Sequence, residues 1–334
     1  MLEIISLEEA SRLDAYVQAH PRGHFMQTSL WGRVKSDWPW TGLVLRGSDG
    51  NIRGTMALLR HDSRLLPGCF FYAPRGPVRE EEGAFFALVD AAAAYARSQG
   101  ALFLRIDPEL PETDAAFAAM VRARGFRLNQ ASDFSLFQPR LCYVSDLTGK
   151  DPQALAASYR PSTRRNVRKA MAGPLEVRLG DGGDLGTFSE LMAHTAAKNG
   201  FTPRPQAYFR SLLRGLGAHA RLYLAELEAV PVAAAIAVFY GDTASFLYSC
   251  SVEEGERRHA NELLQWRMQT DALDLGCRRF DFRGVEGYPE PENPHIGLHN
   301  YKRGFGGEFR AWIGQLDLPL RPALYTLIRH LPHG

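Results

Sequence analysis

The chain has 334 residues, 45% of them hydrophobic and 23% charged, which is the balance of a globular protein long enough to build two hydrophobic cores. Its formal charge of only +2 excludes polyanion binding through an overall field, so any such binding must come from local patches. The cysteines, Cys69, Cys142, Cys250 and Cys277, are scattered singly, which excludes a zinc-ribbon spacing and a disulfide scaffold and reads as buried structural thiols.

In chain order, Met1-Leu2-Glu3-Ile4-Ile5 lacks the basic and apolar regions of a secretion signal, and the longest apolar run, Val230 to Tyr240, is too short to span a bilayer. A cytoplasmic protein is expected. The first helical pattern includes Gln27 to Lys35, with Thr28 or Ser29 as N-cap ahead of Leu30, Trp31 and Val34. Strands are predicted over 41–46 and 52–60, joined by the turn Gly47-Ser48-Asp49-Gly50, and again over 69–72. A helix over 83–98 stops at Gly100 and feeds a strand over 101–106 that ends at Asp107-Pro108. Another helix, 114–124, ends at Gly125 before a further strand.

The second half repeats this order. A helix over 185–198 precedes strands over 221–227, 231–240 and 243–250; the loop 253–260 opens a helix over 261–275, which stops at Gly276 before a strand over 278–282. Gly100 and Gly276 occupy equivalent places, so the pattern points to an internal duplication.

The element order is similar to the GNAT acyltransferase fold, which implies an α/β (α+β) protein of two tandem GNAT-like domains with an interdomain cleft. In ordinary GNAT members the loop before the helix holds the pyrophosphate of coenzyme A with a basic residue and a Gly-x-Gly or Gly-x-Ala run at a helix N-terminus. Here Arg257-Arg258 is followed by His259-Ala260-Asn261, and in the first half Arg75-Gly76 is followed by Pro77, which has no N–H to donate. Coenzyme A is therefore disfavoured, and no cofactor is expected. The histidines show no ligand spacing, so no metal is assigned.

Near the end, Gly297-Leu298-His299-Asn300-Tyr301-Lys302-Arg303-Gly304-Phe305-Gly306-Gly307-Glu308 combines glycines, adjacent cations and aromatic rings, a composition suited to a ligand site or to a glycine-rich turn with a solvated basic pair. The run Arg164-Arg165-Asn166-Val167-Arg168-Lys169-Ala170, the helix start Asn261-Glu262-Leu263-Leu264-Gln265-Trp266 and Tyr301-Lys302-Arg303-Gly304-Phe305-Gly306-Gly307 together resemble the FemABX family of peptidoglycan peptidyltransferases. That resemblance implies transfer of an amino acid from aminoacyl-tRNA to the lysine or ornithine side-chain amine in the stem peptide of a cell-wall precursor, building the interpeptide bridge. Without the helical-hairpin arm of several members, the chain is most like the compact ones, which tilts the expected acceptor toward UDP-MurNAc-pentapeptide over lipid II. Peripheral membrane association would follow if lipid II is the acceptor, and a monomer is expected.

The resemblance also implies the domain limits and the site. Residues 1–144 with 316–334 form the domain for the precursor, and 145–315 the domain for the tRNA and acyl transfer. Lys302, paired with Tyr301, would supply positive charge to the oxyanion of the attacked ester, against a role in phosphate or RNA binding alone. Lys35 and Arg204 would clamp the diphosphate across the cleft, with Tyr208 one helical turn on if Pro205 begins a helix, and with Thr202, Trp38 and Tyr248 as further contacts. From the residues alone, Lys35 reads better as an exposed helix lysine, and Tyr248 is equally a core residue. Asp107 is a candidate base for the attacking amine, or a turn former before Pro108. Arg164 and Arg168 share one helical face and Arg165 and Lys169 the next, behind Ser162 or Thr163 as N-cap, which suits either tRNA phosphates or a solvated basic face. Two other readings stay open, a coenzyme A-dependent N-acyltransferase of a small amine and a noncatalytic RNA-binding module.

Overall fold

The computed structural model describes residues 1–62 and 68–328. The chain separates into two compact units, Met1–Arg140 with Arg310–Gly334, and Leu141–Phe309. Unit 1 begins with β1 (Leu2–Ile5), α1 (Ser11–Ala19), a 3₁₀ turn and α2 (Ser29–Val34), then β2 (Trp40–Arg46), β3 (Ile52–Asp62), β4 (Cys69–Ala73), β5 (Val78–Arg79), α3 (Glu82–Ser98), β6 (Phe103–Ile106), α4 (Ala115–Ala123) and β7 (Arg127–Asn129). Unit 2 holds β8 (Leu141–Asp146), α5 (Pro152–Ser158), α6 (Pro161–Met171), β9 (Leu175–Gly180), α7 (Leu185–Asn199), α8 (Gln206–Leu216), β10 (Ala220–Leu227), β11 (Val230–Tyr240), β12 (Thr243–Ser251), α9 (Glu253–Arg257), α10 (Ala260–Asp274), β13 (Arg279–Gly284) and α11 (Ile296–Gly304). β14 (Glu308–Ala311) runs across the unit limit, and β15 (Gln315–Pro319) and α12 (Pro322–Ile328) belong to unit 1. Among the described residues no helix is long and apolar enough to cross a membrane.

The strand orders are β1-β2-β3-β4-β6-β15-β7, with β5 beside β3, and β9-β10-β11-β12-β13-β8-β14. They correspond strand for strand. In each unit an antiparallel meander, β2-β3-β4 or β10-β11-β12, is followed by a helix, α3 or α10, and then by a strand parallel to the meander's last member. The duplicated order read from the sequence is therefore real. One step departs from simple repetition: the strand after β13 in unit 2 is β8, whereas the strand after β6 in unit 1 is β15. Each half of the chain thus gives its last strand to the other sheet, which moves the unit limits to 140/141 and 309/310, against the 144/145 and 315/316 expected.

The helices pack where the apolar pattern places them. In unit 1, Phe85, Leu88, Val89 and Ala92 of α3 and Phe117 and Val121 of α4 close over Leu43, Met56, Leu58, Phe71, Leu104, Ile106 and Leu316. In unit 2, β11 reads as an unbroken apolar run because both of its faces are covered, by α7 and by α10, and Ala233, Ala234, Ala235 and Ala237 keep those approaches close. All four cysteines are buried free thiols.

Three local expectations change. The stretch after Gly297 is helical up to Gly304 and not a glycine-rich loop. The segment expected as the coenzyme A loop is mostly the short helix α9. α6 starts at Pro161 with Arg160 as N-cap, because a proline at the first helical position fits the fixed φ, leaving Ser162 and Thr163 inside the first turn.

Candidate active site

In unit 2, β12 and β13 run parallel only from Thr243 opposite Arg279 to Ser245 opposite Asp281, and then diverge. The residues at this opening come from both strands and from α8 and α11. Tyr248, three residues past the last pair on β12, donates to the hydroxyl of Tyr208 on α8 at 3.2 Å. Pro205 caps α8 and does not begin it, yet it turns Tyr208 inward, and the Arg204 guanidinium lies 5.5 Å from the Tyr208 ring centre. Burial, followed by the neighbouring Tyr248, pushes the Tyr208 hydroxyl far above its ordinary pKa, so it stays protonated. Thr202 is exposed in the segment before α8 and, among the described residues, makes no hydrogen bond to this group.

On β13, Arg283 adopts left-handed backbone (φ 61°), where a side chain is costly. The turn is held by Asp281, whose carboxylate accepts from Arg283 N at 2.7 Å and from its guanidinium at 3.4 Å. Lys302 of α11, only 5% exposed, donates to the carbonyl oxygens of Arg283 at 3.1 Å and Gly284 at 2.5 Å. Two of its three N–H groups are so used, which fixes the ammonium against the end of β13. Burial draws its pKa down to about 7, with Asp281 and then Cys142 acting against the fall and Arg283 adding to it. Lys302 thus reaches its site from a helix whose neighbour Tyr301 turns elsewhere: the Tyr301 hydroxyl donates to Asn261 O at 3.3 Å and its ring meets Phe305 edge-on. The expected Tyr301-Lys302 pair is adjacent in sequence but divided between two surroundings.

The helix α11 is fixed at both ends. His299, fully buried, lies 3.1 Å from the Tyr143 hydroxyl and 3.0 Å from Glu286 O. At the other end Arg160 N donates to Gly304 O at 2.9 Å, and a Cβ at Gly304 would stand 2.4 Å from Thr163 Oγ1. Glycine is required there by close approach, not by φ. The contact seats α11 against the start of α6, where Arg165, Arg168 and Lys169 are exposed and Arg164 half-buried, its guanidinium reaching Ala157 O at 3.5 Å. Among the described residues none of these four cations forms an ion pair.

Arg257 and Arg258, by contrast, both bond to Glu254 at 2.5 Å. The two cations where a coenzyme A pyrophosphate would lie share one carboxylate, which offsets half of their charge.

The remaining predicted residues lie in unit 1. Lys35 follows the last turn of α2, and its Nζ stands 5.5 Å from the Trp31 ring and 5.9 Å from the Trp38 ring. Trp38 packs against His61 (4.3 Å between ring centres), Phe70 and Phe137. Asp107 is 3% exposed at the end of β6, where it accepts from the Tyr72 hydroxyl at 2.5 Å and from Arg75 N at 2.6 Å. Arg75 is another left-handed residue (φ 58°), so Asp107 clamps the corner after β4 much as Asp281 clamps the irregular end of β13. Sequence reading missed Asp281 and Arg283; the charge inside the strand Phe280-Asp281-Phe282 was the available signal.

A FemAB family model matches residues 9–229. The chain belongs to the FemAB family. A GNAT acetyltransferase domain model also matches residues 157–303 of this FemAB protein, the span that contains the opening and Lys302. Its relatives include a lipid II:glycine glycyltransferase of Staphylococcus aureus (strain bovine RF122 / ET3-1), 25% identical over 95% of this chain and 93% of that protein. A crystal structure of FemX matches with a TM-score of 0.88 at 24% identity, covering 99% of this chain and all of that one. A tandem GNAT protein from the clavulanic acid pathway matches with a TM-score of 0.56 at 16% identity, covering 96% of this chain and 99% of that one. The FemAB protein is a transferase with two GNAT-like units.

Proposed function

We propose that this chain transfers an amino acid from aminoacyl-tRNA to a side-chain amine in the stem peptide of a peptidoglycan precursor. The observation that carries the reading is the junction of α6 with α11. A polyanion lying along Arg164, Arg165, Arg168 and Lys169 is led by the Arg160–Gly304 contact toward the helix that holds Lys302. In the reaction the amine attacks the ester carbonyl, negative charge gathers on its oxygen, and the terminal ribose hydroxyl leaves with a proton. Lys302, preorganised by two carbonyls and shielded from water, meets that charge. Within unit 2, Arg204, Tyr208 and Tyr248 stand together as the contacts for the acceptor. Asp107 serves to hold the Arg75 corner, which leaves the proton to the leaving hydroxyl. The run His259-Ala260-Asn261, where a coenzyme A loop carries glycines, speaks against acyl-coenzyme A as donor.

The test is to incubate the purified protein with charged tRNAs and either UDP-MurNAc-pentapeptide or lipid II, and to weigh the product. A gain of one amino-acid residue on either acceptor, dependent on charged tRNA and lost in Lys302→Ala, is expected. No gain on either acceptor overturns the reading.

A further inference from the structure

We infer that Asp281 is the positioning residue of this site, holding the Arg283 turn that aims Lys302 and keeping Lys302 in its ammonium form. The inference takes the role of Lys302 from the reading above, while its account of Asp281 stands on geometry. Asp281 is 8% exposed and one residue short of where β13 has left β12. One carboxylate oxygen takes Arg283 N at 2.7 Å and so fixes a backbone conformation that a non-glycine residue does not adopt unaided. The two carbonyls that hold Lys302 Nζ are those of Arg283 and Gly284, so the carboxylate acts on the ammonium through the backbone it bends.

The charge acts directly as well. The groups facing Lys302 are Asp281 and Arg283 on β13 and Cys142 on β8, with Gly284 paired to Cys142 across the strands. On its own helix, His299 and Arg303 are both turned to Tyr143. Asp281 is the carboxylate of this set. An isolated lysine taken out of water sheds its proton, and a ring of carbonyl dipoles with one carboxylate opposes that loss. Arg283 pulls the other way, so the Asp281–Arg283 contact sets how much of the carboxylate's charge reaches Lys302.

The chain's other lysines are Lys35, Lys150, Lys169 and Lys198, so a protein labelled with ¹³Cε-lysine gives a spectrum in which Lys302 is assigned by the Lys302→Arg variant. The wild-type Lys302 signal should titrate near pH 7. Asp281→Asn keeps an oxygen for Arg283 N and removes the charge, and should lower the midpoint by a pH unit or more, at least a tenfold fall in the ammonium-to-amine ratio. Arg283→Met, which leaves Asp281 in place, should raise it. Unmoved midpoints in both variants overturn the inference; should Asp281→Asn fail to fold, an unmoved Arg283→Met midpoint overturns it alone. The alkaline limb of the transfer activity is measured beside the titration. If the midpoint shifts and the limb does not follow, the Asp281 inference holds and the catalytic role of Lys302 is what falls.

Discussion

Replacing Asp317 with alanine should cost unit 1 most of its stability. Asp317 lies on β15, where its carboxylate takes two hydrogen bonds from Arg105 of β6, at 2.7 and 2.8 Å, and one from the Tyr325 hydroxyl of α12 at 3.0 Å. The two charged side chains are only 3% and 7% exposed, so solvent does little to screen them. Beyond the Gln315 amide, the surroundings of Arg105 are aromatic, with its guanidinium 4.5 Å from the Phe137 ring centre and 5.1 Å from that of Phe103. Removing one partner of such a pair leaves a buried charge without compensation, about 3–5 kcal/mol. For a domain of this size that corresponds to a fall in Tm on the order of 10 °C. Urea unfolding followed through the tryptophans reads it, since Trp31, Trp38 and Trp40 lie in unit 1. The double variant Arg105→Met/Asp317→Leu should recover much of the loss, because paired apolar groups replace a paired charge at little cost. An Asp317→Ala cost below about 1 kcal/mol, or a double variant no better than the single, would refute the account of a buried, mutually dependent pair.

Other outcomes follow from unit 2. The unfolded chain keeps the Lys302 proton up to about pH 10.5 and the folded protein releases it near 7, so between those values stability rises with pH, by about 1.4 kcal/mol per pH unit. Denaturation midpoints should therefore climb from pH 7 to 9 relative to Lys302→Met, and parallel curves would count against the burial argument. Lys302→Ala should lower the transfer rate by roughly 10²–10³, the usual weight of one preorganised oxyanion partner, with substrate binding little changed. Charge reversal at Arg164 and Arg168 should weaken tRNA binding and flatten its salt dependence by about 0.7–0.9 for each phosphate no longer neutralised, leaving the melting temperature in place. Gly304→Ala should cost about 1–3 kcal/mol through the Thr163 hydroxyl, and Thr163→Ala should restore it; a neutral Gly304→Ala would show that α6 and α11 are not pressed together.

What the sequence made legible was whatever rests on periodicity and on residue type. The helix–glycine–strand order at Gly100 and Gly276 revealed the duplication because αL helix ends leave a glycine signature. Arg204, Tyr208 and Tyr248 stand together, and Lys302 is held by the carbonyls of Arg283 and Gly284. Less legible was anything set by backbone geometry at the ends of strands. Asp281 and Arg283 form a site only because β12 and β13 part after one short run of pairs, and pairing length has no local sequence signal. The glycines from position 297 suit a ligand site or a turn by composition, yet Gly304 serves the approach of a second helix, a tertiary constraint. Tyr301 illustrates the same limit: one residue of helix turns a side chain by about 100°, so neighbours in a motif need not share a site.

The exchange of β8 and β15 sets a timetable for synthesis. The strand that fills the gap between β6 and β7 leaves the ribosome long after both of them, whereas β8 is made long before the strands it will join. At roughly 5–20 residues per second, the interval between the emergence of β7 and of β15 is on the order of ten seconds or more. Throughout it the nascent first unit carries two unpaired strand edges, the kind of surface that recruits foreign strands. A ribosome that stalls within unit 2 would release a first half whose sheet lacks the strand between β6 and β7.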